Sequence, residues 1–135
     1  MKYMLDTNIC VYMLNDKHCV RDVFEEKSKD GIAISSIALA ELEFGIYHGT
    51  AVKMNQVKLL TLLGYIEVLP FDGDAAIIYG QLRANLSRRG QPIGLMDMLI
   101  AAHAKTLGLT LVTHNTREFA RVDGLLLEDW VNADV

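Results

Sequence analysis

The residues Tyr3-Met4-Leu5-Asp6-Thr7-Asn8 form a short apolar run that ends on a carboxylate and continues in small polar side chains. If the apolar run is a central strand of a parallel sheet, Asp6 lies at its carboxyl end, where open α/β sheets bind their ligands. Asp, Thr and Asn are also common at helix N-termini and in turns, so a purely structural role for Asp6 is the alternative. The positions of the other acids in the chain bear on this choice.

The rest of the chain alternates between strand and helix patterns. Apolar runs typical of strands lie at 32–35, 66–69, 109–113 and 125–127, and helical spacing extends over 8–14, 20–29, 37–47, 52–63, 75–89 and 95–107. Ser36 and Asp72 each precede a helical run and are expected to cap it. The alternation predicts an α/β fold, a three-layer α/β/α domain with a central parallel sheet of about four to five strands and right-handed crossovers. We expect one domain over residues 1–135.

The charge balance excludes one way of binding nucleic acid. A formal net charge of −4 argues against a protein that holds nucleic acid mainly through an overall positive field. Basic residues can still act locally around an acidic pocket, and the candidates are Arg83, Arg88, Arg89, Arg117 and Arg121. For each of them the alternative is a solvated surface cation, and Arg88 and Arg89 also suit a helix C-terminus, whose dipole favours positive charge.

The cysteine, histidine and hydropathy patterns exclude other classes. Cys10 and Cys19 match neither a CxxC redox pair nor a zinc knuckle, and the four histidines show no HExxH spacing, so no zinc site is expected. No apolar stretch reaches the roughly 18 residues of a membrane span. Lys2 and three further residues before Asp6 leave no room for the apolar segment of a signal peptide. We therefore expect a soluble, cytoplasmic protein that does not contact a membrane.

Two acids lie on predicted helices among apolar residues. Glu41 shares its helix face with small and apolar side chains such as Ala38 and Gly45. Because burying an unpaired carboxylate is costly, Glu41 needs a partner unless that side of the helix is exposed. Asp97 is the only acid in the apolar run 95–107. It also suits the first turn of a helix, where the dipole favours an acid that can close a cap.

Asn115 follows the fourth predicted strand, so it belongs to the same edge of the sheet as Asp6. Together with Glu118, three residues later, it also fits a capping pair for a short helix. Each of these polar residues thus has a structural explanation of its own. A single functional interpretation accounts for Asp6, Glu41, Asp97 and Asn115 together.

That interpretation is a metal site. Three carboxylates around one cleft repel one another, which raises some of their pKa values, and a hard divalent cation removes the conflict. Oxygen ligands suit Mg²⁺ or Mn²⁺ rather than zinc. A metal held by carboxylates orients a phosphodiester and activates a water. The predicted reaction is therefore in-line hydrolysis that leaves a 5′-phosphate and a 3′-hydroxyl.

Four segments resemble the motifs of one known family. They are LDTN (5–8), SSIALAELEFG (35–45), PIGLMDMLIAAHA (92–104) and LVTHNTREFARV (111–122). They are similar to the motifs of PIN-domain ribonucleases and, among these, of the VapC toxins of bacterial toxin–antitoxin pairs. They occur in the family's order and at its spacing over nearly the whole chain.

The resemblance implies roles for individual residues. Asp6, Glu41 and Asp97 would bind Mg²⁺ or Mn²⁺, Asn115 would complete the catalytic set, and the supporting residues would be Thr7, Asn8 and Thr113. Many PIN domains carry a fourth acid where this chain has Asn115. An amide can bind a metal or hold a water but adds no negative charge, which argues against a second tightly bound metal.

The resemblance also implies a substrate and partners. The substrate would be RNA, since several bacterial relatives cut initiator tRNA in the anticodon stem-loop, and the candidate RNA contacts are Arg88, Arg89 and Arg117. A VapB-type antitoxin would lay a peptide segment across the cleft. The chain would form a homodimer, and its complex with the antitoxin would bind operator DNA.

Three other functions are compatible with the same residues. The first is a PIN nuclease that acts in RNA processing and is not a toxin. The second is a Mg²⁺-dependent phosphatase with Asp6 as nucleophile, although such enzymes typically have a second Asp two positions later and position 8 is Asn. The third is a module without catalysis, in which the acids hold a metal or a basic peptide.

Overall fold

The computed structural model describes residues 1–131, which contain five strands and seven α-helices. The strands are β1 (Tyr3–Leu5), β2 (Ile32–Ser35), β3 (Glu67–Leu69), β4 (Thr110–Val112) and β5 (Leu126–Glu128). The helices are α1 (Thr7–Leu14), α2 (Val20–Lys27), α3 (Ser36–His48), α4 (Val52–Leu63), α5 (Gly73–Arg88), α6 (Leu95–Leu107) and α7 (Thr116–Phe119). The expected domain extends to 135, and its last four positions, 132–135, lie outside the described residues.

The strands form one parallel sheet in the order β3-β2-β1-β4-β5, which confirms the predicted α/β class. The chain moves outward from β1 through β2 to β3, and then returns to β4 on the other side of β1. With right-handed crossovers, this reversal places the later helices on the opposite face of the sheet. The crevice between the carboxyl ends of β1 and β4 is therefore the topological switch point, where such sheets bind ligands.

The central strand β1 is buried on both faces. Tyr3, Met4 and Leu5 have no solvent exposure. This explains why the run is continuously apolar and does not alternate, as is typical of strands inside a parallel sheet. Burying each large apolar side chain contributes about 1.5–3 kcal/mol, so β1 is firmly held and the residue that follows it has a fixed position.

Four helices, α1, α2, α3 and α5, differ from their predicted ranges by one or two residues at an end. Helix α2 ends at Lys27 and continues as a 3₁₀ turn, Ser28–Asp30. The N-cap of α3 is Ser35, whose Oγ accepts a hydrogen bond from the Ile37 amide at 3.1 Å, so the prediction of Ser36 was wrong by one residue. Ser36 already has helical conformation because β2 turns directly into α3, and its Oγ accepts a hydrogen bond from the Phe71 amide.

The predicted cap at Asp72 is confirmed, since its Oδ1 accepts a hydrogen bond from the Ala75 amide at 3.1 Å. Within residues 1–131, none of the helices combines the length and the apolar character needed to cross a membrane.

Candidate active site

Asp6 lies at the switch point, between the end of β1 and the start of α1. It is only 3% exposed. Its Oδ1 accepts a hydrogen bond from the Thr7 amide at 2.8 Å, and its Oδ2 accepts one from the Thr113 hydroxyl at 2.9 Å. Asp6 therefore caps α1 with one oxygen, as the structural alternative predicted, while the other oxygen faces the residue that follows β4.

The pKa of Asp6 shows the balance of forces on this carboxylate. Burial raises the pKa, the hydrogen bonds from Thr113 and Thr7 lower it, and the charge of Glu41 raises it again. The net effect is an increase over the ordinary value. A negative charge is therefore unfavourable here in the free protein, which is the condition that a bound cation relieves.

Glu41 has the partner that its position on α3 requires. Its Oε1 accepts a hydrogen bond of 2.7 Å from the hydroxyl of Thr7, 34 positions earlier in the sequence. The side chain of Glu41 is half-buried. Because Thr7 directly follows Asp6, this hydrogen bond holds the second carboxylate beside the first.

Asp97 lies in the first turn of α6 and is half-buried. Its pKa is raised to about 6, first by burial and then by the charges of Asp6, Glu41 and Glu118. In the described part of the chain, α6 begins at Gly94 without a side-chain capping hydrogen bond, so the capping role considered for Asp97 is not observed. Its carboxylate instead lies in the field of three other acids: Asp6, which precedes α1, Glu41 on α3 and Glu118 on α7.

Thr113 and Asn115 follow β4 on the other side of the crevice. The buried Thr113 hydroxyl donates a hydrogen bond to Asp6 and accepts one from the backbone N–H of Asn115 at 3.0 Å. Asn115 is half-buried and precedes α7, but its side chain makes no capping hydrogen bond there. The predicted capping pair of Asn115 and Glu118 is therefore not formed.

Glu118 is the acid that the sequence interpretation missed. It is half-buried on α7 and raises the pKa of Asp97, which shows that its charge reaches the site. Its spacing from Asn115 suggested a cap. One signal could have identified Glu118 as a site residue: it lies in the first turn of a helix that follows the carboxyl end of β4. Asn8, predicted as a supporting residue, lies exposed in the first turn of α1.

The fold and the sequence match known proteins. The sequence profile of the PIN domain covers residues 3–125. The tRNA(fMet)-specific endonuclease VapC of Shigella flexneri is 43% identical over 131 residues, which cover 96% of this chain and 98% of that protein. Ribonuclease VapC2 of Rickettsia felis is 45% identical over 133 residues, with the same two coverages. The chain belongs to the VapC family of PIN-domain ribonucleases.

A solved structure supports the same assignment. The crystal structure of VapBC2 from Rickettsia felis bound to a DNA fragment from their promoter contains a chain that superposes with a TM-score of 0.92. That chain is 43% identical, and the match covers 96% of this chain and 99% of the other. The predicted VapC resemblance and the predicted parallel-sheet fold are thus confirmed.

The side chains of this VapC-family site suit a hard divalent cation. The groups that converge at the switch point are carboxylate, amide and hydroxyl oxygens, the ligands that Mg²⁺ and Mn²⁺ prefer. Across residues 1–131, no three Asp, Glu, His or Cys side chains are already close enough to enclose one ion. Like charges that face one another keep apart, and Mg²⁺ usually binds through one or two carboxylates and retains several waters. The donor chemistry therefore fits the metal without a closed protein cage.

A buried contact sets the spacing between the two helices that carry Glu41 and Asp97. His103 on α6 lies with its Nδ1 2.8 Å from the Oγ of Ser35, which caps α3. Both side chains are buried, and burial lowers the pKa of His103. A neutral imidazole can accept the hydrogen bond from the serine hydroxyl, so the contact connects α6 to α3 without adding charge beneath the site.

Arg89, one of the predicted RNA contacts of this VapC-family chain, is bound to protein groups. Its Nη1 donates to Asn85 Oδ1 and to Asp123 Oδ2, at 3.1 and 3.2 Å. Its Nη2 donates to Gln91 Oε1 and to the Arg121 carbonyl, both at 2.8 Å. These contacts tie the end of α5 to the segment after α7, so Arg89 is better placed to hold the loop before α6 than to bind RNA.

Replacing Arg89 with Ala is expected to destabilise the protein by about 1 kcal/mol, because four hydrogen bonds are lost together, although each lies at the exposed surface, where a single such contact contributes little. Arg88 is the matched control. It is exposed on the same helix end, and Arg88→Ala should change stability by no more than about 0.5 kcal/mol. Urea unfolding of both variants measures the difference, and equal losses would contradict the structural role of Arg89.

Proposed function

We propose that the chain is a Mg²⁺-dependent endoribonuclease toxin, folded as one domain over residues 1–135. The observation that carries this proposal is the arrangement at the switch point of the sheet: Asp6 is held by Thr7 and Thr113, and the Thr7 hydroxyl holds Glu41 beside it. Asp97 lies within reach of the charges of these acids and of Glu118, which together with burial raise its pKa to about 6. Such an arrangement is unfavourable for stability alone, and it is typical of a site that binds a cation for catalysis.

Asp6, Asp97 and Glu41 would hold the metal, which is Mg²⁺ or Mn²⁺. When bound, the metal would lower the pKa of a water and neutralise charge at the attacked phosphate. Thr113 keeps Asp6 oriented through its hydroxyl, and Thr7 does the same for Glu41. The products of hydrolysis would carry a 5′-phosphate and a 3′-hydroxyl.

Asn115 and Glu118 complete the proposed site from the β4 side. Asn115 offers an amide oxygen for a water or the metal but no charge. The carboxylate of Glu118, whose charge reaches Asp97, would supply the fourth negative charge that Asn115 lacks. This assignment keeps the total acidity of the site in spite of the amide.

The proposed substrate is RNA, with initiator tRNA as the specific candidate, and the proposed place of action is the bacterial cytoplasm. The support is the 43% identity to the Shigella flexneri tRNA(fMet)-specific endonuclease over 96% of this chain. Arg117 is exposed beside the site on α7, and Arg88 is exposed at the end of α5. Neither side chain makes a hydrogen bond or ion pair within residues 1–131, so both are proposed to contact a phosphate backbone, whereas Arg89 is engaged within the protein.

Purified protein should cleave initiator tRNA in Mg²⁺ or Mn²⁺ and should not cleave it in EDTA, while the circular dichroism spectrum is the same in both conditions. An elongator tRNA serves as the substrate control, and gel analysis of end-labelled products gives the cleavage site and the end groups.

The outcomes separate the substrate from the activity. If initiator tRNA stays intact while other RNA is cleaved, the proposed substrate is wrong but the nuclease activity stands. Retained folding without RNA cleavage under any metal would favour the binding module, and a covalent aspartyl-phosphate would favour the phosphatase.

The proposed partner is a VapB-type antitoxin, and the proposed assembly is a homodimer that binds operator DNA together with the antitoxin. The related Rickettsia felis structure is of a VapBC2 bound to promoter DNA. In this chain a largely apolar groove of about 530 Å³ lies between the end of α1, α2 and α4, lined by residues such as Met13, Phe24 and Leu62. Because α1 runs from the acidic site to this groove, an apolar antitoxin segment seated there could continue across the cleft.

A further inference from the structure

Gly94 immediately precedes α6, and its backbone does not need a glycine. Its φ of −56° and ψ of 148° are accessible to any residue. The space around it explains the residue type. A Cβ at position 94 would lie 3.1 Å from the Oδ2 of Asp97 and 3.6 Å from its Cγ. A side chain at position 94 would thus press on the carboxylate of Asp97, which would have to move by a few tenths of an ångström.

The backbone at position 94 has little freedom to move away. The Gly94 carbonyl accepts a hydrogen bond of 2.9 Å from the Met98 amide. The preceding residue, Ile93, is buried in the core. The Pro92 carbonyl accepts a hydrogen bond of 3.0 Å from the guanidinium of Arg121. A side chain at position 94 would therefore displace the Asp97 carboxylate and leave the loop in place.

The carboxylate cannot move without consequence. Asp6, Glu41 and Glu118 lie within the range at which their charges act on Asp97. Movement toward them increases repulsion, and movement away takes Asp97 out of the set of acids. The position of the Asp97 carboxylate thus depends on position 94 being a glycine.

We propose that Gly94 is a positioning residue for the reaction, because its lack of a side chain leaves room for the Asp97 carboxylate at its place relative to Asp6 and Glu41. The inference rests on the proposed function in that Asp97 is taken as a metal ligand. Gly94 itself contacts no substrate and acts only through Asp97.

Gly94→Ala is expected to weaken Mn²⁺ binding, measured by titration calorimetry, by about tenfold, the effect typical of residues that orient metal ligands. RNA cleavage at subsaturating Mn²⁺ should fall by a similar factor and should recover in part at high Mn²⁺. Gly80→Ala on α5 is the matched control, since a Cβ there meets no atom within 4 Å. It should leave Mn²⁺ affinity unchanged.

Combined variants test whether Gly94 acts through Asp97. In the Asp97→Ala background, where no side chain remains for position 94 to displace, Gly94→Ala should lower Mn²⁺ affinity no further. It should also leave the unfolding midpoint unchanged there, even if Gly94→Ala alone folds poorly. A full tenfold loss of Mn²⁺ affinity in the Asp97→Ala background, or unchanged Mn²⁺ affinity in Gly94→Ala itself, would overturn the proposal. Wild-type protein that binds Mn²⁺ but cleaves no RNA would count against the proposed nuclease, while the loss of Mn²⁺ affinity in Gly94→Ala would still support the positioning role.

Discussion

Asp6→Asn is expected to lower RNA cleavage by about a hundredfold or more while the protein stays folded. The loss follows because a metal ligand at the switch point loses its charge, and metal-ion stabilisation of the transition state is worth several kcal/mol, each 1.4 kcal/mol of which is about tenfold in rate. Folding should persist because Asn keeps an oxygen that can accept a hydrogen bond from the Thr7 amide or the Thr113 hydroxyl. The substitution also removes the negative charge that burial disfavours, the main reason why the pKa of Asp6 is raised.

Expression in bacteria makes the result visible. Wild-type protein should arrest growth and fragment RNA, Asp6→Asn should do neither, and Asp74→Asn should behave as wild type. Asp74→Asn makes the same chemical change at an exposed position in the first turn of α5, and the charge of Asp74 is not among those that shift the pKa of Asp6 or Asp97. Equal growth arrest by wild type and Asp6→Asn would refute the metal-dependent mechanism, since toxicity would then not need the site.

The features that could be predicted from the sequence are those that depend on neighbouring residues. The run Tyr3–Leu5 is continuously apolar because β1 is buried on both faces, and Asp6 follows it directly. Strand and helix periods along the chain then suffice for the parallel sheet, and a parallel sheet collects the residues after β1 and β4 at one edge. The sequence alone therefore predicts that Asp6 and Asn115 lie at the same edge of the sheet.

The features that could not be predicted depend on contacts between distant segments. The sequence indicated that Glu41 needs a partner, but nothing local identifies Thr7, 34 positions away. Likewise, Arg89 was predicted to contact RNA. The sequence does not show that Asp123 and the Arg121 carbonyl accept its hydrogen bonds.

Glu118 was missed for a different physical reason. An acid three residues after Asn115 fits the capping box, but that motif forms only when the first residue has extended backbone geometry. Asn115 has φ −92° and ψ 50°, outside that region, and its side chain makes no cap. The freed Glu118 carboxylate instead acts on Asp97. Backbone dihedrals at a strand exit are set by packing, so the sequence could not separate the two roles.

Asp97→Asn is expected to make the metal-free protein more stable at pH 7.5. The pKa of Asp97 is about 6 in the folded chain against an ordinary value of 3.8. A raised pKa means that the folded state favours the protonated form. The contribution of Asp97 to stability is therefore complete below about pH 3.8 and is lost as the pH rises through about 6. Asn remains neutral throughout, so the advantage of the variant should be small at pH 4 and close to its full size at pH 7.5.

The expected gain at pH 7.5 is about 1 kcal/mol. For a fully buried carboxylate, a rise in pKa from 3.8 to about 6 would correspond to about 3 kcal/mol of unfolding free energy. Asp97 is only half-buried, so solvent screening reduces the effect. Urea unfolding in EDTA at the two pH values measures it, with Asp74→Asn as the matched control. Added Mg²⁺ should reverse the order, because a ligand that binds only the folded state stabilises it, and wild type should bind Mg²⁺ more tightly than the variant. If the variant were less stable than wild type in EDTA at pH 7.5, the charge of Asp97 would stabilise the metal-free fold. The interpretation that Asp97 is destabilised by neighbouring acids until a cation binds would then be wrong.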